Sequence, residues 1–117
     1  MGPALLFLVG SAVALLALPH PIPKNATPVQ RLYLSECAGC HGANGHGSWR
    51  ATLVLIRPGS LADRRTLEGV SDAFIFDLIK HGGAPIGKPG MPAFGFHLTD
   101  EQIRGLVRYV RTLPGPP

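Results

Sequence analysis

The sequence ECAGCHG, residues 36–42, contains both cysteines of this 117-residue chain and one of its five histidines. Two cysteines separated by two residues occur in redox-active dithiols, in zinc sites and at the attachment points of a c-type haem. The rest of the chain decides which of these chemistries the motif supports.

Zinc and dithiol chemistry find little support elsewhere in the sequence. A structural zinc site takes four ligands, usually from a second Cys or His pair, but there is no second C-x-x-C and the other histidines are scattered. A thioredoxin-like dithiol lies at a helix start within a βαβ unit. Here the motif follows a predicted helix in a mostly helical chain, so both interpretations are disfavoured.

The residue after the second cysteine favours haem. His41 directly follows Cys40 and completes C-x-x-C-H, the signature of c-type haem attachment. In that chemistry the thiols of Cys37 and Cys40 add to the two vinyl groups of the porphyrin, and the adjacent imidazole reaches the iron. The motif therefore predicts one covalently attached haem c (heme c).

The composition indicates one small domain and limits the classes of partner that it is expected to bind. With 15 Gly and 12 Pro, the chain should be rich in loops. The net charge is +4, and every charged residue lies from Lys24 onward. The basic residues form no dense run and do not alternate with aromatic residues, which argues against nucleic acid. An acidic protein partner or an anionic lipid surface suits this charge better.

The N-terminal residues 3–18 carry no charge, and three prolines follow at positions 19, 21 and 23. The apolar stretch from residue 4 to 18 would form a helix of roughly 22 Å. That length lies between a signal-peptide core and a membrane span, and no basic residue precedes it. A cleaved signal peptide and an uncleaved membrane anchor both remain open, with the anchor preferred. Either one places the domain on the periplasmic or extracytoplasmic side.

The expected domain organisation is a hydrophobic segment at 1–18, a Pro-rich linker at 19–26 and a domain at 27–117. In that domain, Thr27 and Pro28 predict the start of a helix that leads to Cys37. Four glycines predict a loop over residues 38–48. Residues 49–56 are apolar and β-branched enough to predict a strand, and residues 61–68 a short helix.

The second half of the domain has clearer patterns. Ser71 and Gly82 bracket a predicted helix over 72–81, and a Gly/Pro-rich loop follows to residue 96. Thr99 and Gln102 form a capping-box pattern at the start of the last helix. Its apolar stripe is Ile103, Leu106, Val107, Val110 and Leu113, and its basic stripe, Arg104, Arg108 and Arg111, is expected on a solvated face. The predicted class is all-α, with three to four short helices.

Three stretches, LYLSECAGCHG, SDAFIFDLIKHGG and MPAFGFHLTDEQIRGLVRYVRTL, together resemble monohaem class I cytochromes c. They are most similar to the small c-type domains of bacterial terminal-oxidase subunits. The resemblance covers roughly residues 27–113 and is weakest over 43–68. It implies the class I fold, with short helices around one covalently attached haem.

The family also implies that a methionine in the loop before the last helix is the sixth iron ligand, opposite His41. Met91 is the one methionine besides Met1, and it lies between Gly90 and Pro92. The alternatives are that Met91 fills a loop core, or that His81 or His97 binds the iron instead.

Other features of the family transfer less directly. Its proline after the attachment loop, which supplies a carbonyl to the proximal histidine, has no counterpart between residues 42 and 57, so this support for His41 is expected near Ala51 or Thr52. Trp49, Arg50 and Arg57 are candidate contacts for the haem propionates, with an ordinary surface or core role as the alternative.

Packing roles follow from the same resemblance. Tyr33 and Tyr109 are expected to pack the first helix against the last. The apolar walls of the haem site are expected from a set spread along the whole domain: Leu32, Leu53, Phe74, Leu78, Pro92, Phe94 and Leu106.

A His/Met-ligated iron has both axial positions filled, which favours electron transfer over catalysis. We therefore expect an electron carrier, or an electron-transfer subunit, of a respiratory or photosynthetic chain at the outer face of a membrane. Its redox partners are expected to present acidic docking faces, and the basic stripe of the last helix is an alternative docking element. The competing hypotheses are a haem enzyme or gas sensor with a labile methionine ligand, and a tethered subunit of a larger membrane complex.

Overall fold

The computed structural model describes residues 10–11, 14–15 and 18–116. From residue 18 onward it contains six α-helices and no strand: α1 Pro28–Glu36, α2 Ala38–His41, α3 Trp49–Leu53, α4 Arg64–Glu68, α5 Asp72–His81 and α6 Asp100–Val110. Two 3₁₀ turns, Ala84–Ile86 and Phe94–Phe96, lie between α5 and α6. The all-α class is confirmed, although the described chain has more helices than the three to four predicted.

Helix α1 begins where its N-terminal residues predict. The Thr27 hydroxyl accepts a hydrogen bond from the Gln30 amide, and the Gln30 side chain accepts one from the Thr27 amide at 2.8 Å. This reciprocal capping box satisfies two amides that the first helical turn would otherwise leave unpaired. Pro28 at the first helical position removes another unpaired donor.

The predicted loop over 38–48 is wrong at its start, because residues 38–41 form helix α2. The amide of Cys37 donates to the Tyr33 carbonyl at 2.8 Å, and the His41 amide donates to the Cys37 carbonyl at 3.0 Å. The chain thus makes a further helical turn immediately after α1. Gly42, with φ of +78°, ends it, since glycine adopts this conformation without steric cost.

The strand predicted over 49–56 is also wrong, since residues 49–53 form helix α3. The Ser48 hydroxyl accepts from the Arg50 amide at 3.2 Å and caps this helix. A helix satisfies its backbone through local bonds, whereas a strand needs a partner. The part of the chain that the structure describes offers no partner strand, so the β-branched composition did not decide the structure.

The remaining helices lie close to their predicted positions. Helix α4 is shorter than the predicted 61–68 because Asp63 caps it, accepting from the Arg65 amide at 3.2 Å. Helix α5 covers the predicted residues, with Ser71 as its N-cap and Gly82 as its C-cap. Helix α6 begins with the expected Thr99 capping box and buries four of the five residues of its predicted apolar stripe: Ile103, Leu106, Val107 and Val110. Leu113 lies beyond the end of the helix and is half-buried.

Helix α6 packs against both α1 and α5 and forms the centre of the core. The rings of Tyr33 and Tyr109 lie 5.0 Å apart at the crossing of α1 and α6, as predicted. Tyr33 is fully buried, and its hydroxyl donates to the Gly42 carbonyl at 2.8 Å. Burial is the main reason that the pKa of this phenol lies above its usual range.

Arg111 does not belong to a solvated basic stripe, in contrast to the sequence-based expectation. Its guanidinium donates to the carboxylate of Asp72 at 2.9 Å, to the carbonyl of Val70 at 2.7 Å and to that of Leu67. It therefore joins the end of α6 to the connection between α4 and α5. Arg104 and Arg108 remain exposed.

The expected N-terminal hydrophobic helix falls largely outside the described residues. Residues 10–11 and 14–15 are helical, and the linker over 19–26 contains no helix. Among the described residues, every helix is too short or too polar to span a bilayer.

Replacing Tyr33 with Phe removes the hydroxyl that bonds to the Gly42 carbonyl, and this carbonyl then keeps only the bond from the Gly45 amide at 3.2 Å. We expect the free energy of unfolding of the haem-loaded protein to fall by about 1–2 kcal/mol, measured by guanidinium titration. Tyr109→Phe is the matched control, because the Tyr109 hydroxyl makes no hydrogen bond within the described chain. Equal stability of the two variants would contradict this role of Tyr33.

Candidate functional site

One cavity of about 580 Å³ is lined by both cysteines, His41 and Met91. Met91 reaches it from the loop after α5, whereas the other three residues lie at α1 and α2. Most of the remaining lining is apolar: Leu55, Ile56, Leu61, Leu67, Val70, Phe74, Ile75, Leu78, Ile86, Pro92, Phe94 and Val110. The fold thus brings the C-x-x-C-H motif and Met91 to one apolar space.

The loop after the motif folds back onto it. The Gly47 amide donates to the His41 carbonyl at 2.7 Å, and the Ser48 amide donates to the Cys40 carbonyl at 2.9 Å. A Cβ atom at Gly42 would lie 2.7 Å from the Gly47 carbonyl oxygen, so this return requires glycine. These backbone bonds fix the orientation of the motif relative to the cavity.

The two thiols do not have the acidity of a redox dithiol. Burial raises the pKa of Cys37 to about 12, with a further contribution from Glu36, and burial also raises the pKa of Cys40. Reactive dithiols instead have a thiol with a lowered pKa. No group of three or more His, Cys, Asp and Glu side chains placed to hold a metal ion occurs among the described residues.

His41 is the half-buried base of the site. Burial lowers its pKa, and the charge of Lys88 adds to this effect, so the ring is neutral, as an iron ligand must be. The Gly59 carbonyl approaches the ring and raises its pKa, which opposes the effect of burial. Buried Nδ1 nevertheless has no hydrogen bond of normal geometry within the described chain. The backbone group that influences the ring is therefore Gly59, directly after Pro58, and not Ala51 or Thr52 as expected.

The loop that carries Met91 is held by backbone bonds. The Gly83 amide donates to the Met91 carbonyl at 3.0 Å, the Met91 amide to the Lys88 carbonyl at 3.2 Å, and the Lys88 amide to the Gly83 carbonyl at 2.8 Å. A Cβ atom at Gly83 would lie 2.1 Å from the Lys88 carbonyl oxygen, and one at Gly82 would lie 2.9 Å from that of Met91. The pair of glycines therefore positions Met91.

The sequence pattern predicts Gly82 only as a helix end and predicts no role for Gly83. Two adjacent glycines ahead of a proline-rich loop are the signal that the chain approaches itself closely there.

The structure separates the other candidate residues. Arg57 lines the cavity, whereas Trp49 and Arg50 do not. Phe74, Leu78, Pro92 and Phe94 form cavity walls as expected. The other three predicted wall residues lie elsewhere: Leu106 is in the core, Leu53 is 65% exposed and Leu32 lines a groove between α1 and α6.

Neither of the rival histidines lines the cavity. His97 pairs with Glu36, with 3.3 Å between Nε2 and the carboxylate, and His81 is exposed at the end of α5. Of the three candidates for the sixth ligand, Met91 is the one that the fold brings to the cavity.

The residues present fit a covalently attached haem. The cavity falls within the size range of cofactor sites, and its walls are mainly apolar. Two thiols, a thioether and an imidazole whose pKa is lowered by burial supply the donor set of a haem c site.

Known proteins match this chain over most of its length. The family model described as cytochrome c oxidase, cbb3-type, subunit III matches residues 24–110. Cytochrome c6 of Rippkaea orientalis is 30% identical over 92% of this chain and 87% of that protein. The cbb3-type oxidase subunit FixP of Azorhizobium caulinodans is 33% identical over 72% of this chain. A solved structure, KustC0563 c-type cytochrome, superposes with a TM-score of 0.63 at 28% identity, covering 76% of this chain and all of that one.

The lengths of these relatives differ. The chain spans between 20% and 27% of the three longer curated relatives that it matches, FixP among them.

The matches and the site define a c-type cytochrome of the electron-transfer class. The chain belongs to the family of the cbb3-type subunit III model, and it is a monohaem class I cytochrome c with a covalently bound haem c. The resemblance seen in the sequence is thus confirmed.

Replacing Gly83 with Ala places a methyl group against a backbone carbonyl that cannot move without moving Met91. We expect the free energy of unfolding of the haem-loaded protein to fall by about 1–3 kcal/mol. Gly105→Ala, within α6, is the control, because its added Cβ would meet Val29 at an ordinary 3.7 Å. That change should leave stability equal or raise it by up to about 1 kcal/mol. Equal guanidinium midpoints for the two variants would show that the fold tolerates a Cβ atom at position 83, which contradicts this role of Gly83.

Proposed function

We propose that this protein passes single electrons between redox proteins through a haem iron with His41 and Met91 as axial ligands. The observation that carries the proposal is that both side chains line the same cavity as Cys37 and Cys40. The bound haem supplies the one-electron exchange of its iron. If His41 and Met91 both held the iron, no position would be open for a substrate, which favours a carrier over an enzyme.

Each part of the site has a defined task in this proposal. Cys37 and Cys40 would hold the cofactor as thioethers, and the lowered pKa of half-buried His41 favours the neutral ring that an iron ligand needs. The apolar walls exclude water, which limits reorganisation when the charge of the site changes. Exposed Arg57 at the cavity is suited to pair with a haem propionate.

We further propose an extracytoplasmic location, with residues 1–18 as an N-terminal membrane anchor. The support is the charge-free run at 3–18 followed by a proline-rich linker. Among the relatives, cytochrome c6 matches along most of its length and FixP is an oxidase subunit. These relatives fit an electron-transfer component of a respiratory or photosynthetic chain, working as a tethered carrier or as part of a membrane complex.

The expected partners present acidic surfaces. The chain has a net charge of +4, and Lys88 is an exposed cation among the residues that line the cavity. A cation at the rim of the cofactor site attracts an acidic partner to the place where electrons leave. Arg104 and Arg108 on α6 are exposed but do not line the cavity.

Met91→Ala removes the proposed sulfur ligand. We expect loss of the weak red-region sulfur-to-iron absorption band of the oxidised protein, a fall in reduction potential and carbon monoxide binding to the reduced form. His81→Ala and His97→Ala are controls that should keep the band and exclude carbon monoxide. A wild-type protein that lacks the band and binds carbon monoxide would instead support a haem enzyme or gas sensor.

Lys88→Glu reverses the charge at the cavity rim. We expect the second-order rate of electron transfer with an acidic redox protein at low salt to fall about tenfold and to lose much of its dependence on ionic strength. Arg108→Glu makes the same charge change on α6 and should alter the rate less than about twofold. Stopped-flow absorbance of the haem measures both, and equal effects of the two variants would contradict docking at the cavity.

A further inference from the structure

Helix α3 presents two large apolar side chains to solvent. Trp49 is 66% exposed and Leu53 is 65% exposed, and neither lines the cavity. Four residues apart on a helix, they lie on the same face. An exposed apolar pair that serves neither the core nor the cofactor site needs another explanation.

The same helix is bonded to the end of the charge-free N-terminal run. The Arg50 guanidinium donates to the Leu18 carbonyl at 2.6 Å, and it lies 5.9 Å from the centre of the Trp49 ring. Leu18 is itself half exposed. Trp49 and Leu53 are therefore held close to Leu18, the last residue of the charge-free run 3–18.

These side chains have the chemistry of an interface with lipid. Trp prefers the headgroup level of a bilayer, where its ring is apolar and its N–H remains wet. Leu contributes apolar area just below that level. Arg50 lies next to Trp49 in a chain with net charge +4, and a basic side chain there is attracted to anionic lipid headgroups.

We propose that helix α3 lies on the surface of an anionic bilayer, with Trp49 and Leu53 at headgroup level and Arg50 beside the lipid phosphates. This inference rests on the proposed anchoring through residues 1–18, since the anchor brings α3 to the membrane. The contact gives the haem domain one fixed orientation on the membrane in place of free rotation about the linker.

The test is hydroxyl-radical footprinting of the full-length, haem-loaded protein in nanodiscs of phosphatidylglycerol and phosphatidylcholine. Trp49 is the only tryptophan, so its oxidation is assigned without ambiguity by mass spectrometry. Phe96, which is 93% exposed, is the internal reference. We expect the Trp49 to Phe96 oxidation ratio to be at least fivefold lower in these nanodiscs than in a neutral detergent micelle.

Two variants separate lipid contact from other causes. Leu53→Glu places a carboxylate against the anionic surface and should restore the high ratio in nanodiscs, whereas Ala73→Glu, an exposed position on α5, should keep the low ratio. A ratio that is equally low in nanodiscs and detergent, and that Leu53→Glu leaves low in both, would show that protein covers Trp49, and this would overturn the proposal. An equally high ratio in both would also overturn it.

Co-flotation of the protein with phosphatidylglycerol vesicles distinguishes this inference from the anchor. Co-flotation together with a high Trp49 ratio would refute the α3 contact and leave the anchor standing. Absence of co-flotation would refute both.

Discussion

The hydrogen bond from the buried hydroxyl of Tyr33 to the carbonyl of Gly42 joins the helix core to the attachment motif. The ring of Tyr33 packs on Tyr109, so the same residue also fixes the crossing of α1 and α6. Because Gly42 directly follows the motif, the position of His41 depends on how these two helices pack. The geometry of the cofactor site is therefore set in the core, on a residue that does not line the cavity.

The opposite side of the cavity is built by a different means. No regular helix carries Met91, and the loop is held by three backbone bonds among Gly83, Lys88 and Met91. Close approach of this kind is possible because Gly82 and Gly83 lack side chains. A rigid helical side and a glycine-dependent loop side together give one apolar space with the donor set of a haem c. The family matches identify that cofactor, and the pairing of His41 with Met91 is our proposal for its axial ligands.

Local signals in the sequence were sufficient for much of this fold. The caps at Thr27, Ser71 and Thr99 lie within three residues of the groups they satisfy, so the starts of α1, α5 and α6 could be predicted. Predictions failed where distant contacts decide. The strand predicted at 49–56 has no partner strand in the described chain. Arg111, predicted on a solvated face, instead joins α6 to the connection between α4 and α5. The C-x-x-C-H motif predicted the haem. The approach of Gly59 to His41 could not be predicted from a short motif, because it depends on the tertiary fold.

Proton NMR of the reduced wild-type protein tests the proposed binding of Met91 to the iron, opposite His41. A methionine bound to a diamagnetic haem iron lies in the ring current of the porphyrin, which shifts its methyl singlet far upfield of every other methyl resonance. We predict one such singlet, which disappears in Met91→Ala and persists in His97→Ala. A reduced protein without an upfield methionine methyl, or one that keeps it in Met91→Ala, would contradict the assignment.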